Sequence, residues 1–292
     1  MSQAMILCAG LGTRLRPLTD ELPKPLVPVG DRPLLAHITA RLRSQGIHQV
    51  VLNTHHLPRA FDSVYEWLDV EVKVVHEPEI RGTAGGVAGA RRHFSSAPVL
   101  VWNGDILADP PVGRLLEGAA LGGACLAVAP RGRGEGTVGL DADGHVVRVR
   151  GEQFGDEVAG GDYLGIAALG ARTLRALPDK GCLIGDVVLP ELRAGGVVPS
   201  VRVAGRWSDL GDVASYMEEN QRFLDERGVE SWIAPRSTVM DSVSPERSIV
   251  GPGAHVFGYG KLRRVVVWPG AEVRAPLDNA VVTRSGRIVR IA

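Results

Sequence analysis

Short apolar runs alternate with segments of helical periodicity through the first half of the chain, and this alternation constrains the fold most. A strand that is buried on both faces has no polar side, so each continuously apolar run predicts a buried strand. Strands that alternate with helices predict an α/β fold with a Rossmann-like, mostly parallel sheet that is covered on both faces. The predicted strands are 5–9, 50–52, 70–75 and 99–102, and the predicted helices are 34–42, 61–68 and 83–92.

Residues with capping preferences lie near the ends of two of these helices. Asp31 is the candidate N-cap of the first helix, and Gly46 suits the position after its last turn. Thr83 is the candidate N-cap of the helix that begins after Gly82.

The second half has a mixed pattern and ends in a tail of different character. Aliphatic residues recur there every six positions, with Gly-Pro and Pro-Gly corners between them. This period predicts a short, left-handed β-helix of two to three coils with a one-residue slip near Val265, and a small β-meander is the alternative. We therefore expect an α/β domain over 1–226 and a β-helix-like domain over 227–292. The six-residue spacing joins Ile233 to Val239, Val250 to Val256 and Leu262, and Val267 to Val273. Before the tail, the predicted strands are 124–128, 146–149, 163–168 and 197–204. The predicted helices there are 186–193 and 213–224, followed by a predicted linker at 225–228.

Composition excludes several classes of protein. The 292 residues carry 33 basic and 33 acidic side chains, and a net charge of zero argues against nucleic acid or an anionic membrane as the main partner. No stretch approaches the roughly 20 apolar residues of a membrane span, and no signal peptide is visible at the N-terminus. Three scattered cysteines are too few for a disulfide framework or a zinc site. These features predict a soluble, cytoplasmic protein.

A glycine-rich segment follows the first predicted strand, and it carries the strongest chemical signal. Gly10 and Gly12 let the backbone approach a ligand closely and turn its N–H groups toward a phosphate. The spacing is neither a Walker motif nor a dinucleotide fingerprint. Arg14 supplies a forked donor for phosphate oxygens, and Lys24 supplies a compact charge whose backbone is restricted by a proline on each side.

The segment from Leu7 to Thr19, followed by Pro23-Lys24-Pro25, resembles the sugar-1-phosphate nucleotidyltransferases, or nucleotide-sugar pyrophosphorylases. The resemblance runs from about residue 4 to residue 224, and the tail is similar to the β-helix extension of some members. Within the family the chain looks closest to mannose-1-phosphate guanylyltransferases and to bacterial relatives that act on amino-sugar or hexose phosphates.

The resemblance implies a reaction and its substrates. The sugar 1-phosphate oxygen attacks the α-phosphorus of a nucleoside triphosphate, pyrophosphate leaves, and Mg²⁺ is required. The domain over 1–226 would be the nucleotidyltransferase domain. The tail would cover part of that domain or join subunits, so a homo-oligomer is open.

The resemblance also assigns nucleotide-binding residues. Around the glycine segment they are Ala9, Gly10, Gly12 and Thr13, and in a loop that closes over the base they are Glu77, Gly82 and Thr83. An ionised carboxylate only accepts hydrogen bonds, so Glu77 would suit the N–H donors of guanine better than uracil or thymine. The alternative is that Glu77 is solvated at the start of a helix.

Two aspartates are the predicted metal ligands. Asp105 follows a buried strand in Asn103-Gly104-Asp105, and ligands of open α/β sheets lie beyond the carboxyl ends of the strands. Asp209 matches the family's Trp-x-Asp-x-Gly segment, and together the two carboxylates would hold Mg²⁺. Asp212 is the rival, because it could instead cap the helix that begins near Val213.

The match is weaker on the sugar side. Gly165 matches a glycine against which the sugar packs, and Glu152 and Trp207 are assigned to the sugar phosphate with it. Many family members have a lysine here that binds this phosphate, and the chain has none. Arg148 or Arg150 could replace it.

In the implied mechanism, Arg14 and Lys24 neutralise the charge that moves onto pyrophosphate, and no general base is needed because the nucleophile is already ionised.

Three alternative functions remain open. They are a catalytically silent relative that binds nucleotide-sugar and regulates a partner, a cytidylyltransferase-type enzyme acting on a non-sugar phosphate, and an acyltransferase that works from the β-helix.

Overall fold

A computed structural model of the protein describes residues 2–291. The strands in that range are β1 (Gln3–Leu7), β2 (Pro28–Val29), β3 (Arg32–Pro33), β4 (Gln49–Thr54), β5 (Glu71–His76), β6 (Val99–Asn103), β7 (Ile106–Leu107), β8 (Ala124–Arg131), β9 (Val138–Leu140), β10 (Val146–Val149), β11 (Glu152–Gln153), β12 (Ala159–Leu169), β13 (Ser200–Arg202), β14 (Ser208–Asp209), β15 (Trp232–Ile233), β16 (Thr238–Val239), β17 (Val243–Glu246), β18 (Ile249–Val250), β19 (His255–Val267), β20 (Glu272–Val282) and β21 (Ile288–Arg290). The α-helices are α1 (Leu34–Ser44), α2 (Gly82–Ala90), α3 (Val112–Ala119), α4 (Ala171–Ala176), α5 (Leu189–Arg193) and α6 (Val213–Arg227). Within residues 2–291, no helix is both long and apolar enough to cross a membrane.

The described chain divides into two compact units. Residues 2–10 and 36–207 form the first, called the sheet unit here, and residues 11–35 and 208–291 form the second, called the tail unit. The glycine–lysine segment and α6 thus pack with the tail. The domain boundary between residues 226 and 227 stays a prediction.

The sheet unit is built on one mixed sheet in the order β11-β10-β9-β12-β6-β1-β4-β5. Strands β6, β1, β4 and β5 are parallel, with Met5 of β1 paired to Val51 and Val101. Strand β12 adds antiparallel neighbours from the second half of the chain. Apolar side chains of these strands are buried in one cluster with Val87 of α2, so the predicted α/β class is confirmed.

Several predicted elements of the sheet unit differ in the structure. The helix predicted over 61–68 is wrong, because the chain there forms two 3-10 turns, Pro58–Phe61 and Val64–Glu66. The apolar side chains of Phe61, Val64 and Leu68 are buried at helical spacing, but four of the five residues between them, all except Glu66, are weaker helix formers. The helix predicted over 186–193 begins instead as a π-helical turn, Ile184–Val188, that continues into α5.

Two predicted helix caps are also wrong. Asp31 lies in the turn between β2 and β3, and α1 begins only at Leu34. Gly46 has φ +82° after α1, as expected of a glycine that ends a helix. Helix α2 begins at Gly82, one residue before the predicted cap Thr83, whose hydroxyl instead accepts a bond from the Leu183 backbone N–H.

The tail strands pair in parallel at a nearly constant offset. Val256 pairs with Val273, and the pairs Trp232–Ile249, Thr238–His255 and Val243–Gly260 are likewise 17 residues apart. A β-meander requires antiparallel neighbours, and in the described tail only β20 and β21 are antiparallel. The pairing fits the predicted β-helix, whose handedness stays a prediction.

The six-residue positions explain the interior of the tail with one exception. Val250, Val256 and Leu262 are buried in its core, but Ile233 is exposed. The register changes between the pairs Gly258–Ala275 and Leu262–Leu277, a few residues before the predicted place, and it changes by two residues rather than the predicted one.

Helix α6 leads into the tail. Asp212 caps it in a capping box: Asp212 Oδ1 accepts from the Ser215 N–H at 2.8 Å, and the Ser215 hydroxyl accepts from the Asp212 N–H at 3.0 Å. The helix continues to Arg227, so the predicted linker over 225–228 is wrong. Gly228, with φ +62°, ends it.

Candidate functional site

In the tail unit, the glycine turn presents the predicted phosphate-binding side chains. Gly12 has φ +61°, and its carbonyl accepts a hydrogen bond from Thr19 Oγ1 at 2.8 Å. A Cβ at Gly12 would lie 2.8 Å from Thr19 Cγ2, so both the backbone conformation and the packing require glycine. The 3-10 turn Thr13–Leu15 follows directly and leaves the Arg14 side chain exposed.

Three of the four predicted catalytic residues lie together in the tail unit. Lys24 Nζ lies 3.5 Å from Asp209 Oδ1, and Arg14 Nη2 lies 3.9 Å from Asp209 Oδ2. Lys24 is only 7% exposed, which is unusual for a lysine. A Cβ at Gly211 would lie 3.1 Å from Arg14 Nη1, so the glycine of the Trp-x-Asp-x-Gly segment leaves room for Arg14. Two cations and one carboxylate give this cluster a net positive charge, which suits an anionic ligand.

Asp209 keeps one acceptor unused. Its Oδ1 atom is buried and accepts no hydrogen bond from any residue in 2–291. A buried carboxylate oxygen without a donor is costly unless a cation satisfies it. Lys24 does so in part through its charge, and a hard divalent cation is the other group that fits such an oxygen.

Asp105 lies in the sheet unit, just after the carboxyl end of β6. The backbone N–H of Gly104 donates to the Leu7 carbonyl at 2.9 Å, which ties the Asp105 turn to the end of β1. Burial raises the pKa of the Cys8 thiol, and the negative charge of Asp105 raises it further. Asp105 therefore lies close to the start of the glycine segment. Because Asp209 belongs to the other unit, a joint metal site stays a prediction.

Gly165 lies beside the same strand end. It has φ +70°, and a Cβ there would lie 2.4 Å from Asn103 Nδ2. The predicted sugar-side glycine and Asp105 are thus brought to one edge of the sheet by β12 and β6, which pair through Ile166 and Trp102.

Glu77 is an internal anchor of its loop. It is only 4% exposed, and Asn53 Nδ2 donates to its Oε1 at 2.7 Å while the Arg81 N–H donates to its Oε2 at 3.3 Å. Asn53 Oδ1 in turn accepts from the Cys8 N–H at 2.8 Å. The alternative of a solvated Glu77 is wrong, and its contact with a base stays a prediction.

Sequence reasoning missed Asn53, which joins the end of β1 to this loop. A polar residue that ends the apolar run Val50-Val51-Leu52 was the available signal, because a buried amide needs partners. Gly86 leaves room for it, since a Cβ there would lie 2.7 Å from Asn53 Nδ2.

The predicted base loop packs on a second loop of the sheet unit. Gly82 has φ +76°, and a Cβ there would lie 2.5 Å from the Gly181 carbonyl oxygen. The same carbonyl accepts from the Ala84 N–H at 2.9 Å. Gly82 is thus required by close packing, whatever it binds.

The structure separates the two arginines that could replace the missing lysine. Arg148 Nε donates to Glu157 at 2.7 Å, and its terminal nitrogens donate to that carboxylate and to nearby carbonyls. These bonds engage all its nitrogens. Arg150 is exposed, adopts φ +52°, and donates from Nη2 to Cys182 Sγ at 3.3 Å. Within residues 2–291 Arg150 makes no ion pair, so it is the remaining candidate.

The other two sugar-side residues have structural surroundings of their own. Glu152 forms a two-pronged ion pair with Arg193, at 2.9 and 2.5 Å. The Arg193 guanidinium lowers the pKa of Glu152. Trp207 is half-buried at the end of the sheet unit.

Glu21 joins the glycine–lysine segment to the last turn of the tail, and sequence reasoning missed it. The hydroxyl and backbone N–H of Ser285 donate to its carboxylate at 2.5 and 3.1 Å, and the Thr283 hydroxyl also donates. Arg287 lies 3.4 Å from Asp20 in the same region. The tail thereby holds the segment that carries Arg14 and Lys24.

We expect Glu21→Gln to lower the free energy of unfolding by about 1–3 kcal/mol at pH 7, because charge-assisted bonds are lost. Partial burial raises the pKa of Glu21, but the bonds from Ser285 and Thr283 outweigh it, and the net pKa is below the usual value. The folded state therefore binds this proton less readily, and the stabilisation is lost as the pH falls below about 4.

Thermal unfolding of wild type and Glu21→Gln across pH 3–8 measures this. The difference in melting temperature between wild type and Glu21→Gln should be largest near neutral pH and should disappear in acid. Glu66→Gln, at an exposed carboxylate of the sheet unit, is the control and should change little at any pH. A constant difference across the range would show that Glu21 does not act through its charge.

The chain is similar to known proteins, and this similarity identifies its family. A model of the Nucleotidyl transferase family matches residues 3–148, half of the chain, and the protein belongs to that family. It is an enzyme of the nucleotidyltransferase class, and the resemblance to sugar-1-phosphate nucleotidyltransferases is confirmed.

Individual relatives extend the match beyond the family model. A mannose-1-phosphate guanylyltransferase of Mycobacterium tuberculosis is 27% identical over 297 residues, which cover 98% of this chain and 80% of the relative. An N-acetylmuramate alpha-1-phosphate uridylyltransferase of Neisseria meningitidis is 41% identical over 111 residues, or 37% of this chain and 48% of the relative. The crystal structure of HddC from Yersinia pseudotuberculosis has a TM-score of 0.65 at 24% identity, covers 76% of this chain and 100% of its own, and shows the fold.

Proposed function

We propose that the protein transfers a nucleoside monophosphate from a nucleoside triphosphate to a sugar 1-phosphate and releases pyrophosphate. The observation that carries this is the Lys24–Asp209–Arg14 cluster beside the Gly12 turn, in a chain of the nucleotidyl transferase family. Relatives that match most of the chain bear the names of enzymes for this reaction.

The cluster supplies positive charge where the reaction develops negative charge. The acceptor phosphate is already ionised, so these side chains need only bind and orient the triphosphate and stabilise the leaving pyrophosphate. Lys24, held between two prolines and largely buried, is fixed in place before substrate binds. Arg14 is exposed and can form two parallel bonds to phosphate oxygens.

Mg²⁺ is part of this proposal. The unused Asp209 Oδ1 supports it in the tail unit, and the resemblance alone assigns Asp105 of the sheet unit as the second ligand. A bound Mg²⁺ would neutralise triphosphate charge. If a folded Asp105→Asn variant kept near-normal activity, the assignment of Asp105 would be wrong.

GTP and mannose 1-phosphate are the proposed substrates. The support comes from relatives named mannose-1-phosphate guanylyltransferases in Mycobacterium tuberculosis and Arabidopsis thaliana. The argument for guanine from Glu77 is weakened, because both of its carboxylate oxygens accept bonds from the sheet unit itself. The Neisseria relative favours a second candidate, a uridylyltransferase for an amino-sugar phosphate.

A substrate matrix tests the proposal. Five nucleoside triphosphates are mixed with a panel of sugar 1-phosphates and Mg²⁺, and pyrophosphate release is measured. We expect the fastest release with GTP and mannose 1-phosphate. Release that depends on UTP and N-acetylmuramate 1-phosphate would select the second candidate. Release with no sugar phosphate but with an alcohol phosphate would contradict both.

Arg150→Gln is expected to raise KM for the sugar 1-phosphate by about 10-fold or more and to leave KM for the nucleotide unchanged. Loss of a charged hydrogen bond typically costs about 1.5–3 kcal/mol, and 1.4 kcal/mol is tenfold in binding. Steady-state kinetics with each substrate varied in turn measure the two constants. Arg148→Gln is the matched control, because Arg148 is engaged by Glu157. Its loss should lower the stability of the fold, and it should not raise KM for the sugar 1-phosphate relative to KM for the nucleotide. An unchanged acceptor KM in Arg150→Gln would remove Arg150 from the acceptor site.

A further inference from the structure

The tail unit contains a cavity that none of its predicted catalytic side chains lines. Its volume is about 520 Å³, within the range of small-molecule sites. Leu22 and Leu26 form one wall, and Ile249, Val266 and Trp268 of the tail form the other. The walls are therefore mostly apolar.

The charge at the cavity is uneven. Asp31, Arg32 and Arg284 are its only ionisable lining residues among those described. Asp31 is engaged, since Arg32 donates to it at 3.0 and 3.2 Å and Arg227 donates to it at 2.6 Å. Arg284 is exposed and makes no ion pair or side-chain hydrogen bond with any residue in 2–291. The lining thus carries a net charge of +1, and Arg284 is the unpaired cation.

The cavity shares its walls with the segment that carries Lys24. Leu22 and Leu26 lie two residues on either side of Lys24, and the 3-10 turn Lys24–Leu26 is closed by a bond from the Leu26 N–H to the Pro23 carbonyl at 2.8 Å. A ligand that fills the cavity therefore contacts the Lys24 segment on the side that faces the tail strands.

A buried chain of hydrogen bonds fixes the other end of this segment. Trp268 Nε1 donates to the Tyr216 hydroxyl at 3.0 Å, and that hydroxyl donates to the Pro28 carbonyl at 2.5 Å. Both Trp268 and Pro28 line the cavity. Tyr216 belongs to α6, whose first turn follows Asp209 closely. The cavity thus lies between the Lys24 segment and tail residues, and one of those tail residues, Trp268, is hydrogen-bonded to α6.

We propose that this cavity binds a small amphiphilic anion, with an apolar body against the Leu26 and Val266 walls and one anionic group on Arg284, and that its occupancy alters turnover. The binding site stands on the cavity itself. The effect on turnover rests on the proposed function, because it acts through Lys24.

Two fluorescent probes test binding without any transferase assay. 8-Anilinonaphthalene-1-sulfonate has an apolar body and one anionic group, and N-phenyl-1-naphthylamine has nearly the same body without the charge. We expect saturable binding of both to the wild type, with the sulfonate the tighter. Arg284→Gln should weaken the sulfonate by about 10-fold and leave the neutral probe unchanged, as expected for the loss of one charged contact.

A second variant and a control keep the test sharp. Val266→Phe narrows the cavity from the tail side, where Val266 lies outside the β-helix core, and should weaken both probes. Arg290→Gln, an exposed arginine of β21 that does not line the cavity, should change neither. Equal sulfonate affinity in wild type and Arg284→Gln, or no saturable binding to the wild type, would overturn the site.

Turnover is measured separately. The sulfonate probe should change kcat of the wild type at concentrations that saturate the cavity, and this change should be absent in Val266→Phe. Saturable binding with unchanged kcat would overturn the regulatory part alone. If the protein releases no pyrophosphate with any substrate pair, the proposed function fails, and the fluorescence result still decides the site.

Discussion

Replacing Asp209 by asparagine is expected to lower kcat by about 10²–10³-fold, the usual cost of losing one preorganised charged contact in an active site. Asp209 is the centre of the charged cluster in the tail unit, with Lys24 Nζ at 3.5 Å and Arg14 Nη2 at 3.9 Å. Asparagine has nearly the same shape but no charge. It would neither hold the two cations nor offer a carboxylate to a divalent ion.

Asp212→Ala is the matched control, because Asp212 lies three residues away and has a different role. It caps α6, and its bonds from Ser215 lower its pKa. Loss of such a cap costs about 0.5–2 kcal/mol of stability. We expect Asp212→Ala to have a lower melting temperature than wild type and to retain most of the wild-type kcat.

Steady-state rates and circular dichroism melts of the two variants, measured side by side, separate the roles. If Asp209→Asn is nearly as active as wild type, or Asp212→Ala loses as much activity as Asp209→Asn, the roles of the two aspartates have been interchanged or misassigned. The sequence alone left both open, since each lies before α6 in a short polar run. The capping box in the structure assigns Asp212 to the helix and leaves Asp209 for the cluster.

The parallel part of the sheet was predictable because β1, β4 and β6 each contain a continuous apolar run, while the edge strand β5 alternates apolar and polar residues. Strands β1, β4, β5 and β6 were all found within a few residues of their observed bounds. The same apolar spacing misled at 61–68, where buried side chains at helical intervals lie in 3-10 turns. Periodicity reports which face is buried, and it does not distinguish a helix from successive tight turns that bury the same residues.

Contacts between distant segments could not be predicted. Glu21 and Ser285 are 264 residues apart and carry no local pattern that would pair them. The Asn53–Glu77 bond likewise joins two strands' ends and gives Glu77 a buried structural role. Sequence motifs identified which side chains have functional groups suited to binding phosphate or a metal ion. The structure alone shows which of them are already engaged by neighbours, as Arg148 and Glu152 are.

Replacing Lys24 by methionine is expected to lower kcat by about 10²–10³-fold. Lys24 is the only buried one of the four lysines, and it lies within 3.5 Å of a carboxylate. Methionine retains most of the apolar stem that packs in this position, so the change removes mainly the charge. Asp209 Oδ1, which accepts no hydrogen bond from residues 2–291, would then lose its nearest cation.

Lys24→Arg keeps a positive charge at this position, but we expect it to be as poorly active as Lys24→Met. The prolines on both sides restrict the backbone, and a planar guanidinium is larger and reaches farther than an ammonium group. Lys73→Met, at an exposed lysine of β5, is the control and should behave as wild type. Rates of pyrophosphate release from the three purified variants, each confirmed as folded by its melting curve, decide the matter. Because all three substitutions remove or reshape one lysine, a loss confined to the two Lys24 variants would assign the effect to the charged group beside Asp209. Equal rates in Lys24→Met and Lys73→Met would show that the charge of Lys24 has no part in catalysis.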